Sequence, residues 1–391
     1  MSTRWKIAVL VDPLTALVSD NAHAFGLAAQ LSARGHTVRV FGPAAPAMGR
    51  SEQVRGASNG DEPSKSRGPK RPTVGASVAL FEPQAVIAYD ALSPAAWLGA
   101  RTARRGGAPL ALIEAAPWAE GRPAQRALWR VGEALWGRYV RRTAAAVLAL
   151  EPQARERSLR RGFDAARVHS VAHGVDLDSH RPGRASEELA RRQIRGRILS
   201  CRASYASTDS LERLVTAFSS TVGQRDDWSL VVAGDGPPPA RLAKCAYRAG
   251  IGGRVHFLSL SDEAFAPLLS SSTLFAALGG EGVRAAWDVE RALACGAPTL
   301  IAGGTRGVHL IQHDVRGWVL EDASAEGWAA ALSRAAGSPQ ARKRWSLASR
   351  AFAEEKLGWA SVARLIESVV ETQTAQSVET NRAAEGQAAR A

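Results

Sequence analysis

The chain has 391 residues, 46% of them apolar and 22% charged. These are ordinary globular values that exclude a disordered chain, a collagen or a coiled coil over most of the length and suggest two domains. Lys and Arg outnumber Asp and Glu by 50 to 37, and with 26 basic against 15 acidic side chains in residues 1–184 the excess lies almost wholly in the first half.

The alternation of elements begins at once. KIAVLV (6–11) is a continuous apolar run, as expected of a strand buried on both faces. A helix from about Asp20 to Arg34 carries Ala24, Leu27, Ala28 and Leu31 on one face, and Gly35 stops it before the strand HTVRVFG (36–42). This unit predicts a right-handed parallel crossover. Residues 43–76 break the rhythm: the segment 50–72 is rich in Gly, Pro, Ser and charge and reads as a mobile basic loop, taken as about 45–76. Then come a strand at 85–90, a helix at 94–105, a strand at 109–115, a long basic helix at about 123–142, a strand at 145–150, a helix at 152–162 and a strand at 168–172.

Residues 183–196 are polar and read as a linker between a first domain (1–182) and a second (197–373). The second repeats the pattern, with strands at 197–203, 229–234, 255–259, 273–278, 298–303 and 317–321, helices at 208–222, 238–249, 262–271 and 284–295, and helix through 324–373. The tail, 374–391, has too few apolar residues to fold and is expected to be disordered. The fold class expected is therefore α/β, with two tandem doubly wound, Rossmann-like domains facing a cleft, their ligands outside the carboxyl ends of the strands. No apolar run approaches the ~20 residues of a membrane span. A cytoplasmic chain is expected, peripheral to the membrane at most. Cys201, Cys245 and Cys295 are far apart, which argues against a zinc site or a disulfide scaffold, so no metal is expected.

Three places carry candidate chemistry. LVVAGDGPPPARL (230–242) is a strand, a turn with Gly234 and Gly236, and a helix start suited to an anion; a plain strand–helix turn would look the same. In FAALGGEGVRAAWDVERALACGAP (275–298), Glu281 lies in a Gly-rich turn, Gly282, Val283 and Arg284 open a helix with free N–H groups, and Glu290 follows near its middle. The two carboxylates suit sugar and ribose hydroxyls, or simply solvent. Arg202, at the end of the strand RILSCR (197–202), suits a diphosphate clamp.

Taken together, these segments resemble the retaining GT-B glycosyltransferases of group 1, the family 4 type, and look like the bacterial phosphatidylinositol mannosyltransferases among them. The likeness runs through GHTVRVFGPA (35–44), VHSVAHGVDLDSHRP (168–182), LVVAGDGP (230–237), RVHFLS (254–259), the 279–303 segment and GVHLIQHDVRGWVLED (307–322), in order. It implies a nucleotide diphosphate-sugar as substrate, held by the second domain without cofactor or metal, and an acceptor at the first. By match, Arg202 meets the diphosphate, Glu281 the sugar, Gly282 to Arg284 the phosphate and Glu290 the ribose; Gly234 and Gly236 are taken with the donor site, and Asp90 and Glu114 are candidates for the acceptor side, with Glu114 or Ala115 standing where the family often has a His.

The chain departs from the family at several points. The first loop (12–21) has no Gly, Thr208 replaces a Lys, His173 replaces the Asn before GVD, and eight residues rather than seven separate Glu281 from Glu290. Anchored instead on ALACG, the second Glu position falls on Arg291. Two readings of different kinds follow: a transferase with an altered site, or a catalytically inactive relative that binds an anion or a partner. A sugar-nucleotide epimerase of the same fold is a third.

The basic helix at 122–142 interleaves six Arg with Leu128, Trp129, Leu135, Trp136 and Tyr139. Such a helix suits an anionic membrane surface or a lipid-linked acceptor. The two Trp equally suit a core-facing stripe, the plainer reading of the pair. Arg-rich coding is the plainer source of the charge, since 44 of the 50 basic residues are Arg, though it leaves the one-sidedness unexplained. No nucleic-acid-binding module is visible, and none is expected as a partner.

Overall fold

The computed structural model describes residues 4–11, 22–42, 73–115, 123–203, 209–234, 240–278 and 284–372. The loop expected at 45–76 lies outside these residues up to position 72, as does the tail expected at 374–391. The chain forms two compact units: residues up to Gly174 joined by those from Trp359 onward, and Val175–Gly358.

In the first unit the strands are β1 (Lys6–Leu10), β2 (Thr37–Phe41), β3 (Ala85–Tyr89), β4 (Leu110–Glu114), β5 (Ala144–Ala149) and β6 (Val168–Ser170). They form one sheet in the order β2-β1-β3-β4-β5-β6, and every pairing is parallel. Successive side chains of a strand point to opposite faces. Ala8 and Leu10 of β1 thus join Val86, Leu112 and Val147 on one face, against α2 (Val74–Phe81) and α3 (Pro94–Gly106). Ile7 and Val9 join Ile87, Ile113 and Leu148 on the other, against α1 (Ala22–Ala33) and a helix at 359–372 that adds Val362, Ile366 and Val370.

Three features of the first unit differ from expectation. The helix α2 begins within the segment read as loop; the Thr73 hydroxyl caps it by accepting from the Ala76 N–H, and Val78 and Phe81 are its buried residues. The helix at 359–372, expected with the second domain, belongs to the first unit. It is tied there by Glu367, which accepts from Arg34 at 2.6 Å through two guanidinium nitrogens and lies 2.9 Å from His36 Nε2. Finally, the basic helix is not uniform. It runs as α4 (Pro123–Gly132), a π-helical turn (Glu133–Gly137) and α5 (Arg138–Thr143). Trp129 is buried against Leu92, and Trp136 packs half-buried on the core while its Nε1 donates to the Leu92 carbonyl at 3.2 Å. The core-facing reading of the two Trp is the one the structure shows.

The second unit holds β7 (Arg197–Ala203), β8 (Trp228–Gly234), β9 (Val255–Leu258), β10 (Leu274–Ala277), β11 (Thr299–Ala302) and β12 (Gly317–Leu320), again all parallel, in the order β12-β11-β10-β7-β8-β9. One face packs on a core containing Trp228, Trp328, Trp345 and Phe218. The segment read as a linker is folded into this unit. Ser186 caps a short helix, α7 (Glu187–Arg191), and Leu189 and Ile194 are buried, so two apolar anchors in a polar run suffice to dock it.

Candidate functional site

In an open parallel sheet the ligand crevice lies outside the carboxyl ends of the strands, at the point where the strand order reverses. In the second unit that point falls between β7, first in sequence, and its neighbour β10. Arg202 stands there: its neighbour Cys201 is in register with Ala276 of β10, and Arg202 itself pairs with Ala233 of β8. Gly234 ends β8 opposite Ala203, one residue beyond, and Arg284 opens α11 (Arg284–Ala294) after β10. Glu281, Gly236, Gly282 and Val283 lie outside the described residues.

The surroundings of Arg202 are not those of an open cation. Its Nη1 donates to Asp262 Oδ1 at 2.9 Å and to Asp288 Oδ1 at 3.2 Å. Its guanidinium carbon lies 3.8 Å from the centre of the Phe265 ring. Arg291 completes the cluster, 3.5 Å from each of the two carboxylates and 4.3 Å over the Trp287 ring. Asp262 comes from the first turn of α10 (Asp262–Ser270), while Asp288 and Arg291 come from α11. Residues three apart on a helix share a face, so Asp288 and Arg291 look toward β7 together. Glu290, two residues from Asp288, is turned about 200° around the helix. It is 1% exposed, which leaves little of its carboxylate for a ribose. Sequence reasoning singled out Arg202 and reached Arg291 by the alternative anchoring, but it missed Asp262 and Asp288. The only signal for Asp288 was its i,i+3 spacing to Arg291.

At the carboxyl end of the first sheet a second polar group assembles. The acceptor-side candidates Asp90 and Glu114 are both buried, and both hold the turn after β3. Asp90 adopts φ +62°, and its Oδ1 accepts from the Leu92 N–H at 3.3 Å; Glu114 Oε1 accepts from the Ala91 N–H at 2.7 Å. Beside them lies a cluster that sequence reasoning did not assemble. His23 Nδ1 is 2.6 Å from the Tyr89 hydroxyl, the His23 ring meets the Trp359 and His173 rings edge-on, and His173 is 3.8 Å from Glu151. Burial, then the neighbouring His173 ring, push the His23 imidazole down to about 3, partly offset by a hydrogen bond with the His173 backbone, while burial raises the Tyr89 phenol well above its usual range. His23 is therefore neutral at physiological pH.

Among the described residues no group of three or more His, Cys, Asp or Glu is placed to hold a metal ion, and no helix is long and apolar enough to cross a membrane.

Comparison with known proteins agrees with this architecture. The family model described as Glycosyltransferase Family 4 matches residues 21–179, and that described as Glycosyl transferases group 1 matches residues 196–337. No curated protein matches the chain significantly. Among solved structures, a glycosyltransferase from Rickettsia africae superposes with a TM-score of 0.70 at 13% identity, covering 95% of this chain and 99% of its own. HepE of Anabaena, crystallised with UDP, gives 0.68 at 14%, covering 94% and 100%. A sucrose-phosphate synthase from Thermosynechococcus elongatus gives 0.63 at 15%, covering 95% and 100%.

Proposed function

We propose that this chain, which belongs to the group 1, family 4 type glycosyltransferases of the GT-B fold, transfers a sugar with retention from a nucleotide diphosphate-sugar to an acceptor at its first unit. The observation that carries the reading is the position of Arg202 at the carboxyl end of β7, where the strand order of the second sheet reverses. The Anabaena protein of like fold, crystallised with UDP and with UDP-glucose, supports a uridine nucleotide as the first donor to try. In this reading Arg202 neutralises the leaving diphosphate, Glu281 holds sugar hydroxyls, and the backbone of Gly282 to Arg284 faces the phosphates. Positive charge and aligned N–H dipoles at a leaving group typically lower a barrier by several kcal/mol. No cofactor or metal is needed for this chemistry.

The test is release of nucleoside diphosphate from a panel of UDP-, GDP- and ADP-sugars by the full chain, beside Glu281→Ala and Arg202→Ala. Loss of about 10²–10³ in rate in either variant is expected. A wild-type chain that neither binds nor consumes any donor overturns the reading. Binding without turnover turns it toward the second reading, a nucleotide-binding relative without transfer activity. That second reading draws on the carboxylates that already neutralise Arg202.

For the acceptor we propose a lipid-linked molecule at an anionic membrane surface. Support comes from the one-sided charge and from Val131 and Leu135, exposed at 48% and 72% on the helix that carries exposed Arg130, Arg138 and Arg142. Exposed apolar side chains among Arg suit an interfacial helix. Flotation with acidic liposomes at low salt, lost at high salt, is the expected result; no flotation at low salt rejects it.

A further inference from the structure

Arg202 and Arg291 each hold the guanidinium carbon over an aromatic ring and are bridged by the same two carboxylates. Among the described residues these four charges sum to zero. A site built only to attract a diphosphate has no use for two aspartates on its arginines, because each competes with the ligand for the same N–H groups. The aspartates are not equivalent. The Asp288 side chain is 8% exposed and sits three residues before Arg291 on α11; the Asp262 side chain is 30% exposed and sits at the first position of α10, beside the capping Ser261. Asp288 is therefore the more deeply buried of the two and Asp262 the more exposed to solvent. Among the described residues the buried Arg291 Nη1 makes no hydrogen bond, and Asp288 Oδ1 stands 3.5 Å from it as an ion-pair partner.

We propose that Asp262 is an internal anion that occupies Arg202 in the ligand-free chain and is displaced when a diphosphate binds, so that it sets the affinity of the site for its donor. Asp288 stays with Arg202 and Arg291 through the exchange. This rests on the donor-site reading above. It adds a residue that lowers affinity and speeds release of the diphosphate product, because Asp262 stands ready to re-form its bond.

The experiment is calorimetric titration of inorganic pyrophosphate, and separately of UDP, into the full chain and Asp262→Asn. The expected result is about tenfold tighter binding in the variant, the loss of one competing charged hydrogen bond, with the gain abolished in Asp262→Asn/Arg202→Ala. Asp262→Ser serves as the second variant should the Asn form not fold. Unchanged or weaker binding in a folded variant overturns the proposal, as does a gain that survives the loss of Arg202. The two readings separate cleanly. Tighter pyrophosphate binding without consumption of any sugar nucleotide keeps the exchange and discards the donor reading. Sugar transfer with no affinity change keeps the donor reading and discards the exchange.

Discussion

Trp359 occupies the volume that a side chain at Gly26 would need: a Cβ placed on Gly26 would lie 2.5 Å from the indole Cζ2. Gly174 closes the slot from another side. Its φ of +89° is one that L side chains rarely adopt, and a Cβ there would lie 2.3 Å from Cε3 of the same indole. The two glycines and the indole together seat the helix at 359–372 on the first unit, next to His23. Gly26→Ala is expected to destabilise the first unit by about 1–3 kcal/mol through overpacking, and Trp359→Ala, at a half-buried position, by less than the ~3–5 kcal/mol of a fully buried Trp. Thermal melts of the two variants check this; midpoints equal to wild type would show that the slot does not hold the helix.

The His23 imidazole, pushed down to about 3 by burial, makes the first unit sensitive to acid. Unfolded, the same side chain titrates near 6.5. Between these values the unfolded chain binds a proton that the folded chain refuses, so stability is fully present above about pH 6.5 and falls as the pH drops toward 3. The slope approaches about 1.4 kcal/mol per pH unit for this one group. His23→Gln, which keeps a hydrogen-bonding side chain near Tyr89 but cannot titrate, is expected to narrow the difference in urea midpoint between pH 7 and pH 4.5. An undiminished difference would assign the acid sensitivity elsewhere.

The accessibility of the thiols is set chiefly by burial. Cys201 is 0% exposed on β7 and burial raises its thiol; Cys295 is 3% exposed at the end of α11 and its thiol is pushed up to about 12, by burial first. Cys245, on α9 (Ala240–Arg248), is partly exposed. The thiolate is the reactive form. Iodoacetamide at pH 8 is therefore expected to label the native chain once, at Cys245, and three times after denaturation. Mass spectrometry of the digested protein reads this directly, and native labelling of Cys201 would contradict the burial of β7.

The strands were legible because a parallel sheet covered on both faces demands continuous apolar runs, as in KIAVL and WSLVVAG. The helix over 74–81 was not, because its signal is only a Thr cap and two buried side chains behind a long basic segment. The home of the helix at 359–372 was illegible for another reason: an apolar stripe says that a helix packs, not on which sheet. The candidate site divides in the same way. Arg202 could be placed because the end of a strand is a local property. Its carboxylate partners lie 60 and 86 residues away along the chain, on two helices whose rotation no local pattern specifies.

Arg350 makes a comparable long-range tie within the second unit. From α13 (Pro339–Phe352) its Nη1 donates to the carbonyls of His180 at 2.8 Å and Ala294 at 2.9 Å, and more weakly to Leu177 at 3.4 Å, while its Nε bonds Glu354 at 2.7 Å. Ala294 ends α11, so the guanidinium meets a helix C-terminus where a cation is favoured and carbonyls lack partners. One side chain thereby joins the segment at 177–180 to the far end of the helix that carries Asp288 and Arg291. Removing it leaves part-buried carbonyls without a donor, at a cost of about 1–3 kcal/mol each where water cannot reach. Arg350→Ala is expected to lower the urea midpoint of the second unit clearly, and Arg350→Lys, which keeps the charge but not the fork, to fall between it and wild type. Amide hydrogen exchange adds the local reading: residues 177–180 should exchange faster in the Ala variant, and unchanged exchange there would show that the segment is held by other contacts.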